Sequence, residues 1–306
     1  VVDCLVEYDS YGNVEPALAT SWEQNEDATV WTFHIREGVN WVDKDGNVVA
    51  PVTANDWVSS AHYACDANND SDTFYTMSGV IAGADAYYDW TAYQMALPDA
   101  TDGTDENGNA VKFITNEDGE QEILEEVPEA SIDDIGVKAV DDKPLEVQLN
   151  VPVSYFLSLM YFPTFYPMNQ KFFESCGDTY GTSADTVLSN GAFVLTSYEP
   201  AATAFELVKN ADYYDADRIA LDGLNYQVIK DSQQALMSYQ NGDLDITLLN
   251  GEQVEQVKDD PEFTSVGAGY LWYISPNIDA VPELANLNLR RAITFALVRD
   301  SITNDV

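Results

Sequence analysis

The stretch "VWTFHIREGVNWVDKDGNVV" at residues 30–49 leaves the backbone few choices. Trp31, Phe33 and Ile35 alternate with Thr32, His34 and Arg36, a period of two that predicts a half-buried strand. Gly38 releases the chain, Trp41 resumes it, and "DKDG" at 43–46 supplies a turn. The segment "TANDWVSSAHYA" then changes period. Thr53 is placed as N-cap and Asp56 in the first turn, with Trp57, Val58 and Ala61 on one apolar face. The first part therefore reads strand, turn, strand, helix.

The same alternation of short strands and helices continues irregularly, which predicts a mixed α/β (α+β) chain. "DDIGVKAVDDKPLEVQLN" gives two strands about an Asp-Asp-Lys-Pro turn, and "SNGAFVLTSYEP" and "AFELVKNADYYD" return to strand character. "DSQQALMSYQNGDLDITLL" reads as a helix closed by Asn241-Gly242 and running into a strand at Leu244–Leu248. "GAGYLWYISPN" reads as a further strand. "LRRAITFALVRD" reads as a helix with Leu289, Ala292, Ile293, Ala296 and Leu297 on one face.

Charge narrows the partners. The 306 residues carry 53 Asp+Glu against 13 Lys+Arg, a formal net charge of −40. Such a surface repels phosphate backbones, so no nucleic-acid partner is expected, and it disfavours adhesion to an anionic leaflet. Residues 99–134 hold 13 of the acids and a single base, Lys112. They read as a surface insertion of loops with at most a short hairpin, and "DGTDENGNA" lacks the ligand spacing of a calcium loop. No run of 18 apolar residues is present. The opening "VVDCLVEYDS" reads as folded material rather than a leader. Asp3 before Cys4 fits a lipidated cysteine poorly. Cys4, Cys65 and Cys176 are too scattered for a disulfide framework or zinc site; a Cys65–Cys176 bridge is one option and three buried free thiols the preferred one.

No catalytic constellation emerges. His34 and His62 lie in no metal pattern, and neither a nucleophile elbow nor a phosphate-binding glycine motif occurs. A carboxylate dyad of glycosidase type is open on composition alone, but no pair stands out. The 6 Trp, 18 Tyr and 12 Phe suit both a core and a concave binding surface.

Taken in linear order, "GNVEPALATSWEQNEDATVWTFHIREGVNWVDKDG", "VTANDWVSS", "IDDIGVKAVDDKPLEVQLNVPVSYFLSLM", "SNGAFVL", "LVKNADYYD", "YQNGDLDI" and "NLRRAITFALVRDSI" resemble the family 5 extracellular solute-binding proteins, the peptide receptors of ABC importers. The resemblance covers nearly the whole chain apart from the acidic insertion. It implies a two-lobed periplasmic-binding-protein-like fold with an extra peripheral domain, here truncated at the C-terminus. Domain I would comprise 1–52 and 190–269, peripheral domain II 53–189 with the acidic insertion 99–134, and domain III would begin at 270–306. On this family pattern the aromatic strand at 30–35 is scaffold and not ligand site.

The resemblance further implies a non-enzymatic, monomeric receptor without cofactor or metal. It would capture extended peptides by lobe closure and deliver them to a membrane permease. Its location would be outside the cytoplasmic membrane, lipid-anchored at the cell surface or periplasmic. Relatives of the same fold that take nickel complexes, haem or oligosaccharides supply the alternative ligands, and a secreted acidic hydrolase is a more distant one. By position, Asp3, Cys4 and Leu5 match the family strand that pairs with the peptide backbone, where Glu-Gly is usual in place of Asp3-Cys4. Asn250 matches a cleft-lining Asn, and Tyr270, Trp272 and Tyr273 lie on the segment crossing between lobes. Tyr75 is a candidate from domain II.

Overall fold

Phe33 is fully buried at the centre of β4 (Val30–Ile35), with Trp22 and Leu145 opposite it on the two flanking strands. The architecture comes from a computed structural model, which describes residues 1–115, 119–267, 273–278, 280–299 and 302. The chain divides into two compact units, Val1–Gln227 and Val228–Val306.

The first unit opens with a hairpin of β1 (Val6–Tyr8) and β2 (Val14–Pro16), followed by β3 (Ala19–Gln24) and β4. A second hairpin, β5 (Asn40–Val42) and β6 (Val48–Pro51), leads into α1 (Asn55–Ala64). Helix α2 (Ala84–Ala96) precedes an antiparallel meander of β7 (Thr101–Thr104), β8 (Ala110–Thr115) and β9 (Gln121–Leu124). Then come β10 (Val137–Ala139), β11 (Pro144–Gln148) and the short helices α3 (Phe156–Leu159) and α4 (Gln170–Cys176). The unit closes with β12 (Phe193–Ser197), β13 (Ala204–Lys209) and β14 (Gly223–Gln227), a three-stranded antiparallel sheet.

The main sheet has the order β10-β11-β4-β3, antiparallel throughout. It joins strands from both sides of residue 52, and one core runs beneath it. Leu5, Leu18, Phe33, Trp41, Ile81, Ile135, Leu145, Phe156 and Met160 are all essentially inaccessible. Around Phe33, the Trp31 ring stacks at 6.5 Å and Phe156 lies tilted at 6.3 Å, so the aromatic strand is scaffold packing. The period-two reading of 30–35 holds for Phe33 and Ile35, whereas Trp31 is half-buried.

Helix α1 begins one residue later than its sequence reads. Ala54 is the N-cap and makes no side-chain cap bond; Asp56 instead reaches back to accept the Thr53 N–H at 2.8 Å. The acidic insertion, expected as loops with at most a short hairpin, forms that hairpin and adds a third strand, with Val111, Phe113 and Ile114 on a β8 that pairs on both sides. All three cysteines are free: Cys4 and Cys65 are buried, as expected, but Cys176 is half-buried. Among the described residues, no helix is long and apolar enough to cross a membrane.

The second unit contains α5 (Ser232–Gln240), α6 (Gly251–Val257) and α7 (Leu287–Ala296). Gly242, just past α5, takes a left-handed φ of +81°, the helix stop read from Asn241-Gly242. The strand expected at Leu244–Leu248 does not form: no described strand pairs with it, and Ile246 and Leu248 are 82% and 89% exposed. Of the strand expected in "GAGYLWYISPN", residues 268–272 lie outside the described residues and 273–277 carry no strand. Helix α7 starts two residues earlier than read and stops at Ala296, so Leu297 falls past it at an extended C-cap; the helix buries none of its residues.

Candidate functional site

Residues 1–5 form a strap ahead of β1, tied to segments about two hundred positions away. The Val1 carbonyl accepts the N–H groups of Asn190 (3.1 Å) and Gly191 (2.9 Å). The Asp3 N–H donates to Asn190 Oδ1 at 2.7 Å. The Asp3 carboxylate accepts the Cys4 N–H at 3.0 Å and the hydroxyls of Tyr213 and Tyr214 at 3.1 and 3.3 Å. Cys4 and Leu5 continue inward: Leu5 is fully buried, the Leu18 N–H donates to the Cys4 carbonyl, and those of Ala17 and Ala19 donate to the Leu5 carbonyl. The amides of Asp3 and Cys4 and the carbonyls of Cys4 and Leu5 are thus engaged within the chain. The strand itself begins at Val6, so Asp3–Leu5 is an irregular, internally bonded lead-in.

Burial sets the electrostatics here. It raises the Asp3 carboxyl above its ordinary value, against the pull of the Cys4 N–H and the two tyrosine hydroxyls. It also pushes the Cys4 thiol up to about 12, helped by the charge of Asp3. The Cys4 thiol donates to the Val6 carbonyl at 2.8 Å. Tyr214 is pushed up to about 12, again by burial first. The Arg36 guanidinium sits 4.2 Å from the centroid of the Tyr214 ring.

The other first-unit candidate, Tyr75, lies on a single 3-10 turn (Phe74–Thr76) and is 69% exposed. No hydrogen bond or ring contact among the described residues ties it to the Asp3 cluster. In the second unit, Asn250 caps α6: its Oδ1 accepts the Gln253 N–H at 3.0 Å, Gln253 Oε1 accepts the Asn250 N–H at 3.0 Å, and its Nδ2 donates to Ser232 Oγ at 3.0 Å. Tyr273 is 81% exposed, and Tyr270 and Trp272 lie outside the described residues. That unit also carries a cleft of about 620 Å³, lined by Leu236, Tyr239, Ile246, Leu248, Val254 and Phe263 among others. Among the described residues, no three His, Cys, Asp or Glu side chains are placed to hold a metal ion.

Sequence reasoning picked out Asp3 but missed Asn190, Tyr213 and Tyr214, the residues that hold it, and Arg36, which lies on the Tyr214 ring. The Tyr-Tyr doublet of "NADYYD" was the available signal: adjacent tyrosines after a strand point both hydroxyls somewhere, and a buried acid is a natural acceptor.

The chain is 31% identical to the oligopeptide-binding protein OppA of Bacillus subtilis over 99% of its own length and 48% of the relative's. The solved structure of Listeria monocytogenes OppA bound to peptide superimposes with a TM-score of 0.67 at 29% identity, over 85% of this chain and 43% of that one. The periplasmic oligopeptide-binding protein OppAIV of Borrelia burgdorferi gives a TM-score of 0.74 at 25% identity, over 99% and 52%. The chain spans about half the length of the relatives it matches, and the fold they share is the mixed α/β, periplasmic-binding-protein-like one. A model of the family "Bacterial extracellular solute-binding proteins, family 5 Middle" matches residues 13–306, so this chain belongs to the family 5 bacterial extracellular solute-binding proteins.

Proposed function

We propose that the chain is part of a receptor that captures extended peptides outside the cytoplasmic membrane and delivers them to the permease of an ABC importer. One observation carries the reading: the likeness to oligopeptide-binding proteins extends over 99% of the chain and includes a relative solved with peptide bound. The receptor is monomeric and binds without altering its guest. Peptide capture of this kind relies on main-chain hydrogen bonds and roomy hydrated pockets, so it needs little sequence specificity.

On this reading residues 1–52 and 190–269 belong to one lobe, 53–189 form a peripheral domain inserted into it, and the second lobe opens at 270. Asp3, Cys4, Leu5 and Tyr75 are the proposed ligand-site positions of the first unit, with the buried Cys4 and Leu5 as the floor beneath the guest, and Asn250, Tyr270, Trp272 and Tyr273 those of the second. The dense main-chain bonding at Asp3–Leu5 supports a rigid floor, since groups already satisfied lose no further freedom when a guest arrives.

Calorimetric titration of the protein that carries this chain with a mixed di- to hexapeptide library tests the reading. Saturable heat with peptides is expected. Silence towards every peptide, together with binding of an oligosaccharide, overturns it.

A further inference from the structure

The Asp3 carboxylate is half-buried, and the donors recorded on it are three neutral groups: the Cys4 N–H and the hydroxyls of Tyr213 and Tyr214. Two phenols on one carboxylate, at 3.1 and 3.3 Å, tie the strap to the turn that follows β13. Tyr214 is itself held from behind. Arg36 donates its Nε–H to the Ala17 carbonyl at 3.1 Å, its backbone N–H donates to the Leu18 carbonyl at 2.7 Å, and its guanidinium lies on the Tyr214 ring. The guanidinium thus braces the ring from one side while the ring's hydroxyl reaches Asp3.

We propose that Arg36, Tyr213 and Tyr214 form a positioning latch that fixes the Asp3–Leu5 segment through the Asp3 carboxylate. Hydrophobic burial of Leu5 anchors one end of the strap; the latch determines where the Asp3 end lies. None of the three latch residues needs to touch a ligand to act. Its consequence for peptide capture rests on the function proposed above, but the latch itself is testable without any ligand, so the two ideas fail separately.

The test uses the full 306-residue chain. Hydrogen–deuterium exchange is followed for residues 1–8, and the Asp3 side-chain carboxyl carbon is titrated by NMR. In the double variant Tyr213→Phe/Tyr214→Phe, which keeps both rings, the Asp3 and Cys4 amides should exchange about tenfold faster. Strands β4 and β11 should keep wild-type protection, and the Asp3 carboxyl should titrate higher, having lost two donors to its charged form. Arg36→Lys, which keeps a cation over the ring, should preserve the latch, and Arg36→Met should loosen it. Unchanged exchange and titration in the double variant overturn the proposal. So does acceleration that spreads equally to β4 and β11, which marks general destabilisation. Equal behaviour of Arg36→Met and wild type removes Arg36 from the latch.

Discussion

The indole N–H of Trp41 donates to the carboxylate of Asp56 at 3.1 Å, inside the core between the second hairpin and α1. Asp56 is only 5% exposed and also accepts the Thr53 N–H, so one acid closes both the start of the helix and the edge of the hairpin.

Burial raises the Asp56 carboxyl from 3.8 to about 6, against the two hydrogen bonds. The folded chain therefore holds this proton more tightly than the unfolded chain does. The Asp56 contribution to stability is full below pH 3.8 and is lost as pH rises through about 6. Asp56→Asn keeps an acceptor and cannot titrate, so subtracting its stability curve from that of the wild type should isolate a slope in that window, on the order of 3 kcal/mol in all. Asp56→Ala should cost about 2–4 kcal/mol at pH 3, since two donors lose their acceptor, and the cost should shrink as pH rises through about 6 and the buried wild-type carboxyl ionises. Urea denaturation from pH 3 to 8 reads both outcomes.

Much of the fold is legible in the sequence. Alternation at 30–35 gave β4, and the Asp-Asp-Lys-Pro turn gave the β10–β11 pair, because both depend on local pattern alone. Three hairpins turn on the same Asp-x-x-Gly-Asn spelling, at 9–13, 43–47 and 105–109. In each, the Asp Oδ1 accepts the N–H groups two and four residues on, and the Gly takes a left-handed φ near +80°. That recurrence is visible in the sequence and predicts the β7–β8 hairpin within the acidic insertion, where charge content obscured it. Failures fall where the partner is distant. Leu244, Ile246 and Leu248 alternate like a strand, but a strand requires a neighbour that the pattern cannot name. Asp3 meets Tyr213 across 210 residues, and no local rule reaches that far.

A close approach of backbones makes Gly83 irreplaceable. It sits at the N-cap of α2 with φ +74°, and a Cβ there would run into the carbonyl oxygen of Asp134. Gly79 has a nearly equal φ of +72° but open space around its Cβ position. Gly79→Ala should cost about 1 kcal/mol through backbone strain alone, and Gly83→Ala about 3 kcal/mol or more through strain plus collision. Equal midpoint shifts for the two variants in urea denaturation would show that the Asp134 contact yields freely.

Thiol chemistry should separate the cysteines. Burial pushes the thiols of Cys4 and Cys65 up to about 12, whereas Cys176 is half-buried at the end of α4. Thiolate is the reactive form, so iodoacetamide at neutral pH should label Cys176 first and leave the other two untouched until the chain unfolds. Peptide mapping after timed alkylation gives the order directly, and early labelling of Cys4 would mean that the strap at residues 1–5 opens in the native state.

Salt should act on the first unit above all. Residues 1–227 hold 41 of the 53 acids and 8 of the 13 bases. The ion pairs recorded there involve Lys44, Lys112, Arg218 and His34, with carboxylate partners at least one-third exposed, so they offset little of the repulsion. Folding brings these like charges together, and the work required falls as the ionic atmosphere tightens. Raising the salt from about 0.01 M to about 1 M shortens the screening length from about 30 Å to about 3 Å. Thermal unfolding at neutral pH should therefore move to higher temperature as sodium chloride is added. At a pH near 4, where many carboxylates are neutral, the same addition should have a smaller effect. The contrast between the two pH values is the decisive reading, because a salt that merely strengthened apolar burial would raise the midpoint at both.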